Sequence, residues 1–260
     1  MKPIWIGSSW KMNKTSSEVD LFCEHIKQAL NGSTIQIQMF VIPPFPYVKM
    51  VHEQLNDSGF LLGVQNICWD KEGPYTGEIS AKMASDINAT LVEIGHSERR
   101  AMFGETDETV NLKVHAALDQ KLTPLICVGD TAQDKEWRVS AEAIVRQVKI
   151  ALYGLNVDQI KKVLIAYEPV WAIGENGVPA SPAEAEYGLK KIRNALADMY
   201  SHEIAQSITL LYGGSVHQDN AASLLEQENV DGLFIGRAAW QPEGFMQLIN
   251  IAKAYNNSRI

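Results

Sequence analysis

An α/β chain folded as one (β/α)8 barrel, eight parallel strands inside an outer ring of helices, is what three features of this 260-residue sequence predict. Short β-rich runs recur along the chain, helical segments of amphipathic spacing separate them, and polar or glycine-rich residues gather just after the runs. A barrel of about 250 residues is one domain, so residues 1–260 are read as a single unit, uninterrupted by any linker or low-complexity tract.

The expected strands are Ile4-Gly7, Ile35-Ile42, Phe60-Gln65, Leu91-Gly95, Thr123-Val128, Val163-Tyr167, Ser207-Tyr212 and Gly232-Gly236. Between them, apolar residues at intervals of three and four, such as Val19, Phe22, Ile26 and Leu30, or Leu189, Ile192, Leu196 and Met199, mark helices with one buried face. Strict alternation implies parallel strands joined by right-handed crossovers, and eight such units fit a closed barrel better than an open sheet. The clusters Gly95-His96-Ser97-Glu98, Glu168-Pro169, Gly213-Gly214-Ser215 and Gly236-Arg237 follow strands. That is the end where barrel enzymes carry their sites.

A net charge of -8, from 23 basic and 31 acidic residues in no long like-charged block, argues against nucleic acid as a partner. A small anionic substrate remains compatible, because a few local donors dominate a site whatever the global charge. The opening MKPIWIGSSW turns polar too early for a secretory signal, and no stretch approaches membrane-spanning length. A soluble, cytoplasmic protein without a membrane partner is expected. Cys23, Cys68 and Cys127 are odd in number, far apart and without paired ligand spacing, which suggests reduced, mostly buried thiols and indicates neither a disulfide framework nor a zinc or other metal site.

Three side chains stand out chemically. Glu168, in Tyr167-Glu168-Pro169-Val170-Trp171, ends a strand just before a segment with Gly174, Asn176, Gly177 and Pro179 that reads as a mobile lid. Desolvation beside Val170 and Trp171 on lid closure would raise its proton affinity and suit it to act as a general base. A solvated loop carboxylate is the other reading. His96 precedes Ser97-Glu98-Arg99-Arg100, where Ser97 could cap a short helix whose positive end would keep the imidazole neutral. A structural histidine is the alternative there. Lys11 follows the first strand, where its ammonium could balance phosphate or enolate charge unless it is simply a surface lysine. Gly213-Gly214-Ser215 and Gly236 expose backbone amides after strands seven and eight, where barrel phosphate sites are frequently built.

Taken together, Trp10-Lys11-Met12-Asn13, Gln65-Asn66, Thr76-Gly77-Glu78-Ile79-Ser80, Gly95 to Arg100, Phe103-Gly104-Glu105, Cys127-Val128-Gly129, Tyr167 to Gly174 and Tyr212 to Val216 resemble the triosephosphate isomerase family along nearly the whole chain. The resemblance implies a TIM barrel and an isomerase that moves a proton between adjacent carbons of a small phosphorylated sugar, without a cofactor. Glu168 is then the base, His96 the neutral electrophile, and Lys11 the cation that stabilises enediolate and phosphate. Glu98 holds Lys11, and the amides of Gly174, Ser215, Gly236 and Arg237 receive the phosphate. Members of the family form homodimers through the loop after strand three, which marks Gln65, Thr76 and Glu78 as interface residues and Glu78 as a partner for Arg99 across the dimer.

Four positions depart from the family pattern. Ser9 stands where asparagine is usual, the lid Gly174-Glu175-Asn176-Gly177-Val178-Pro179-Ala180 is one residue longer, Arg237 replaces a glycine, and Asp130 replaces a glutamate. These are similar to the L-erythrulose-1-phosphate isomerase branch, associated with erythritol breakdown, whose substrate carries one more hydroxymethyl group than a triose phosphate. Ser9 would vacate room for that group, and Arg237 would strengthen phosphate capture. The alternatives are a glycolytic triosephosphate isomerase with altered site residues and a non-catalytic sugar-phosphate binder. The presence of Glu168, His96 and Lys11 together speaks against the latter.

Overall fold

The computed structural model describes residues 2–31, 36–174 and 177–259. Eight strands, β1 (Trp5–Ser9), β2 (Gln38–Ile42), β3 (Phe60–Val64), β4 (Leu91–Ile94), β5 (Thr123–Val128), β6 (Leu164–Tyr167), β7 (Thr209–Tyr212) and β8 (Gly232–Ile235), close in chain order into a barrel. Every pairing is parallel, and β1 completes the ring by pairing with β8. The closed barrel of eight parallel strands expected from the sequence is therefore the observed fold.

Several ends are shorter than expected. Ile35 lies outside the described residues, and Ser207 is the last residue of the helix His202–Ser207 rather than the first of a strand. Gly95 turns out of β4 with φ +79°, a left-handed conformation that no strand residue adopts.

Side-chain alternation divides the apolar residues into two cores. Phe40 and Ile42 of β2, Leu91 of β4, Leu125 and Cys127 of β5, Leu164 and Ala166 of β6, Leu211 of β7 and Phe234 of β8 fill the barrel interior. Their strand neighbours, including Met39, Val41, Val92, Ile94, Ile126, Val128 and Ile165, face the helices. By the same alternation Ser9 on β1 and Glu93 on β4 fall on the interior side, toward the carboxyl ends of the strands.

The helices form as their spacing predicts. Ser16–Leu30 buries Val19, Phe22, Cys23, Ile26 and Leu30, and its first turn is closed by the Thr15 amide donating to Glu18 Oε2 at 2.7 Å. Pro182–Met199 begins at Ser181, whose hydroxyl accepts from the Glu184 amide while the Glu184 carboxylate accepts from the Ser181 amide. It buries Leu189, Ile192 and Leu196, with Met199 only partly covered. All three cysteines are buried free thiols. Among the described residues no helix is long and apolar enough to cross a membrane.

Candidate active site

After β1 the chain buries Trp10, whose amide donates to Ile42 O, and then reverses at Lys11 with φ +52°. That conformation is unfavourable for a residue with a Cβ. It is held by Gln65, whose Nε2 donates to the Lys11 carbonyl at 2.8 Å. Gln65, expected at an interface, thus also fixes this turn within its own chain. The reversal aims the Lys11 ammonium at Glu98 Oε1, 2.6 Å away.

The end of β4 is set by Gly95, where a Cβ would come within 2.9 Å of the Arg100 guanidinium and 3.0 Å of Val110. Arg100 donates to the Gly95 carbonyl and pairs with Asp107, which makes it a fastener of this turn. The following helix, Ser97–Met102, is capped by His96 and not by Ser97: Nδ1 of His96 accepts from the Glu98 amide at 3.2 Å, and Ser97 is the first helical residue. An accepting Nδ1 leaves the single proton of a neutral imidazole on Nε2. Burial, assisted by the Lys11 ammonium, lowers the His96 pKa to about 4, so the ring is neutral across the physiological range. Its Nε2 faces Glu168 Oε2 at 3.7 Å and Glu93 Oε1 at 4.0 Å.

Glu168 leaves β6 with its amide donating to Val128 O at 2.8 Å. Its carboxylate is 4% exposed, and Oε2 is buried without a hydrogen-bond partner in the protein. Gly213 makes room for it, because a Cβ there would stand 2.8 Å from Glu168 Cγ. Burial, and secondarily the charge of Glu93, raise the carboxyl to about 8, against a weaker opposing pull from Lys11.

The Trp171 indole N–H donates to Asp130 at 3.0 Å, and Lys135 sits over its ring. Asp130 also accepts from Tyr167 OH at 2.9 Å and Ser140 Oγ at 2.7 Å, so this one buried carboxylate ties the β6 end to the first turn of the lid.

Sequence reasoning missed Glu93. It is 3% exposed in the barrel interior, accepts from Ser9 Oγ at 2.8 Å, and is raised by burial to about 7. The signal was present as a lone carboxylate in the otherwise apolar run Leu91-Val92-Glu93-Ile94.

Ser9, Lys11, His96, Glu168, Gly174, Ser215, Gly236 and Arg237 all line one cavity of about 330 Å³. Glu175 and Asn176 of the expected lid lie outside the described residues. A second cavity, of about 390 Å³, shares Ser9, Lys11 and His96 with the first and adds Glu93, Gln65, Glu78 and Arg99. Thr76 and Glu78 are exposed, while Arg99 pairs with Glu105 of its own chain at 3.0 Å.

A buried carboxylate, a neutral imidazole with its proton on Nε2 and an ammonium thus converge beside a loop-lined cavity. This set can remove a proton from carbon while protonating the neighbouring oxygen. A base at Glu168 works only when ionised, so kcat/KM is expected to fall with decreasing pH along a limb well above the ordinary carboxylate range. Glu93→Gln removes a neighbouring negative charge, lowers the Glu168 pKa and should move that limb to lower pH. Titration of the substrate is common to both enzymes, so a limb that stays in place in paired pH profiles would show that Glu168 does not feel Glu93.

Comparison with known proteins places the chain in a family. A family model described as Triosephosphate isomerase matches residues 4–252. The chain is 47% identical over 250 residues to an L-erythrulose-1-phosphate isomerase of Brucella abortus biovar 1 (strain 9-941), covering 96% of each chain. It is 46% identical over 252 residues to the protein of that name in Mesorhizobium japonicum, covering 96% of this chain and 97% of the other. With that of Mycolicibacterium smegmatis it shares 44% identity over 258 residues, covering 98% of this chain and 95% of the other. The barrel and the sequence comparisons show that this chain is an isomerase belonging to the triosephosphate isomerase family.

Proposed function

We propose that the enzyme interconverts L-erythrulose 1-phosphate and D-erythrulose 4-phosphate. The observation that carries this reading is the placement of Ser9 on a wall shared by the two adjoining cavities, so that space continues past Lys11 and His96 on the side away from the phosphate loops. The names of the relatives point the same way.

The phosphate sits against the amides of Gly174, Ser215, Gly236 and Arg237. Glu168 takes the proton from the hydroxyl-bearing carbon next to the carbonyl, and the electron pair moves onto the carbonyl oxygen, which His96 Nε2–H protonates. The resulting enediol is held beside Lys11. His96 then recovers a proton from the second oxygen while Glu168 returns its proton to the former carbonyl carbon, so that the carbonyl has moved by one position and both groups are restored. A buried site favours this exchange because bulk water cannot scramble the protons between steps.

The enzyme is further proposed to act as a homodimer in the cytoplasm. Met12 is 94% exposed and Phe103 67% exposed on the rim of the second cavity, next to Gln65, Glu78 and Arg99. Large apolar side chains grouped there suit coverage by the Thr76 to Glu78 loop of a second copy. Arg237 is exposed beside the phosphate end and would add a charge-assisted contact to the anion.

The test compares isomerisation of L-erythrulose 1-phosphate and dihydroxyacetone phosphate by one preparation, with Glu168→Gln as the control for contaminating isomerase. Preference for the tetrulose supports the proposal, whereas efficient triose turnover would return the enzyme to glycolysis. Ser9→Asn is expected to lower the tetrulose kcat/KM by about tenfold or more relative to the triose, in line with what one filled methylene-sized space costs. Equal losses on both substrates would deny Ser9 a role in specificity.

A further inference from the structure

We propose that Glu93 and Ser9 together form the subsite that recognises the terminal hydroxymethyl group of the substrate, making Glu93 a specificity-determining residue. This rests on the tetrulose reading above. Below it on β4 stands Leu91, and on the β5 side Leu125 and Cys127, all apolar, while the β3 register brings Gln65 to its other side. A carboxyl group is therefore not what packing asks for at this point. Its fixed protein partner is Ser9 Oγ, which donates to Oε2, and its other oxygen stands 4.0 Å from His96 Nε2, beyond hydrogen-bond reach. The nearby Lys11 ammonium is engaged with Glu98.

The order of groups across the site matches the order of atoms in the substrate. Gly174, Ser215 and Gly236 line the phosphate end of the first cavity, Lys11 and His96 lie at the junction, and Glu93 lines the cavity on the far side. A tetrulose phosphate bound with its two central carbons between Glu168 and His96 must send its last carbon toward Ser9 and Glu93. Its terminal hydroxyl is both donor and acceptor. Glu93 can accept from it, and Ser9, whose proton is committed to Glu93, can offer only lone pairs to a second donor. A triose phosphate has no atom to place there and would leave the buried carboxyl with Ser9 alone. Sites built to bond a hydroxyl discriminate more strongly against an analogue that lacks it than do sites that merely provide room.

The experiment uses the full-length enzyme with L-erythrulose 1-phosphate, its 4-deoxy analogue bearing a methyl in place of the hydroxymethyl, and dihydroxyacetone phosphate. The wild-type enzyme is expected to favour the tetrulose over its 4-deoxy analogue by at least about tenfold in kcat/KM, and Glu93→Leu to bring that ratio close to one. The isosteric Glu93→Gln, which preserves volume should the leucine variant fail to fold, is expected to narrow the same ratio at least threefold. If either folded variant lowers turnover of both tetruloses by one common factor, Glu93 acts on the chemistry and the subsite is refuted while the substrate reading stands. A wild-type enzyme that prefers dihydroxyacetone phosphate would overturn the substrate reading and the subsite with it.

Discussion

Glu168→Gln is expected to reduce kcat by about 10²- to 10⁴-fold, the range associated with a positioned general base, without loss of the fold. The amide matches the carboxylate in shape and keeps its place against Gly213, but it cannot accept the carbon-bound proton. Stability should move in the opposite direction to activity. Because the folded-state pKa of Glu168 is raised from 4.5 to about 8, its contribution favours folding below the unfolded value and is lost as pH rises toward 8. The variant has no such dependence, so its advantage in Tm over wild type should be absent near pH 4, grow through neutrality and level off above about pH 8. Thermal unfolding of both proteins at several pH values checks this. Lost activity accompanied by lost stability at pH 8 would mean that Glu168 supports the structure and that its burial is not tuned for proton transfer.

Lys11→Met should be nearly as damaging, lowering kcat/KM by about 10²- to 10³-fold, the scale on which a preorganised donor to a developing oxyanion contributes. The left-handed turn clamped by Gln65 delivers this ammonium both to Glu98 and to the cavity. Removing it takes a cation from a mouth that already holds Glu93, Glu98 and Glu168, so a phosphate dianion and an enediolate would both meet a more negative field. Steady-state kinetics together with titration of inorganic phosphate should show losses in both turnover and anion binding. A loss of less than tenfold would assign the ammonium to Glu98 alone.

Alternation of β-rich and amphipathic segments was sufficient to locate the barrel, because each strand and each helix buries its own periodic face. Gly95 and Ser207 were misassigned at strand ends for a local reason: a left-handed glycine and the last turn of a helix both resemble strand composition. Glu168, His96 and Lys11 stood out by their place after strands, but that placement left a solvated carboxylate, a structural histidine and a surface lysine open, and roles were assigned to them only by the family resemblance. The tautomer of His96 was not legible, since it depends on which nitrogen receives the Glu98 amide and hence on His96 rather than Ser97 occupying the capping position. Glu93 was hidden because its meaning lies in the parity of β4, which places it beside Ser9 of a strand 84 residues away along the chain. Likewise Asp130 read as a substitution in a motif, whereas its three side-chain hydrogen bonds appear only when Tyr167 of β6, Trp171 and Ser140 at the start of the helix Ser140–Ala151 approach it.

Pairing of β1 with β8 has a consequence for how copies of this protein can meet. The ring leaves no barrel strand with an unpaired edge, so strand-by-strand extension, the route by which open sheets polymerise, is closed to the barrel. The homodimer proposed above would therefore use loops and side chains, namely the segment around Thr76 and Glu78 and the apolar rim at Met12 and Phe103. Substitutions there would then alter association in such a dimer while leaving the strand register of each barrel intact.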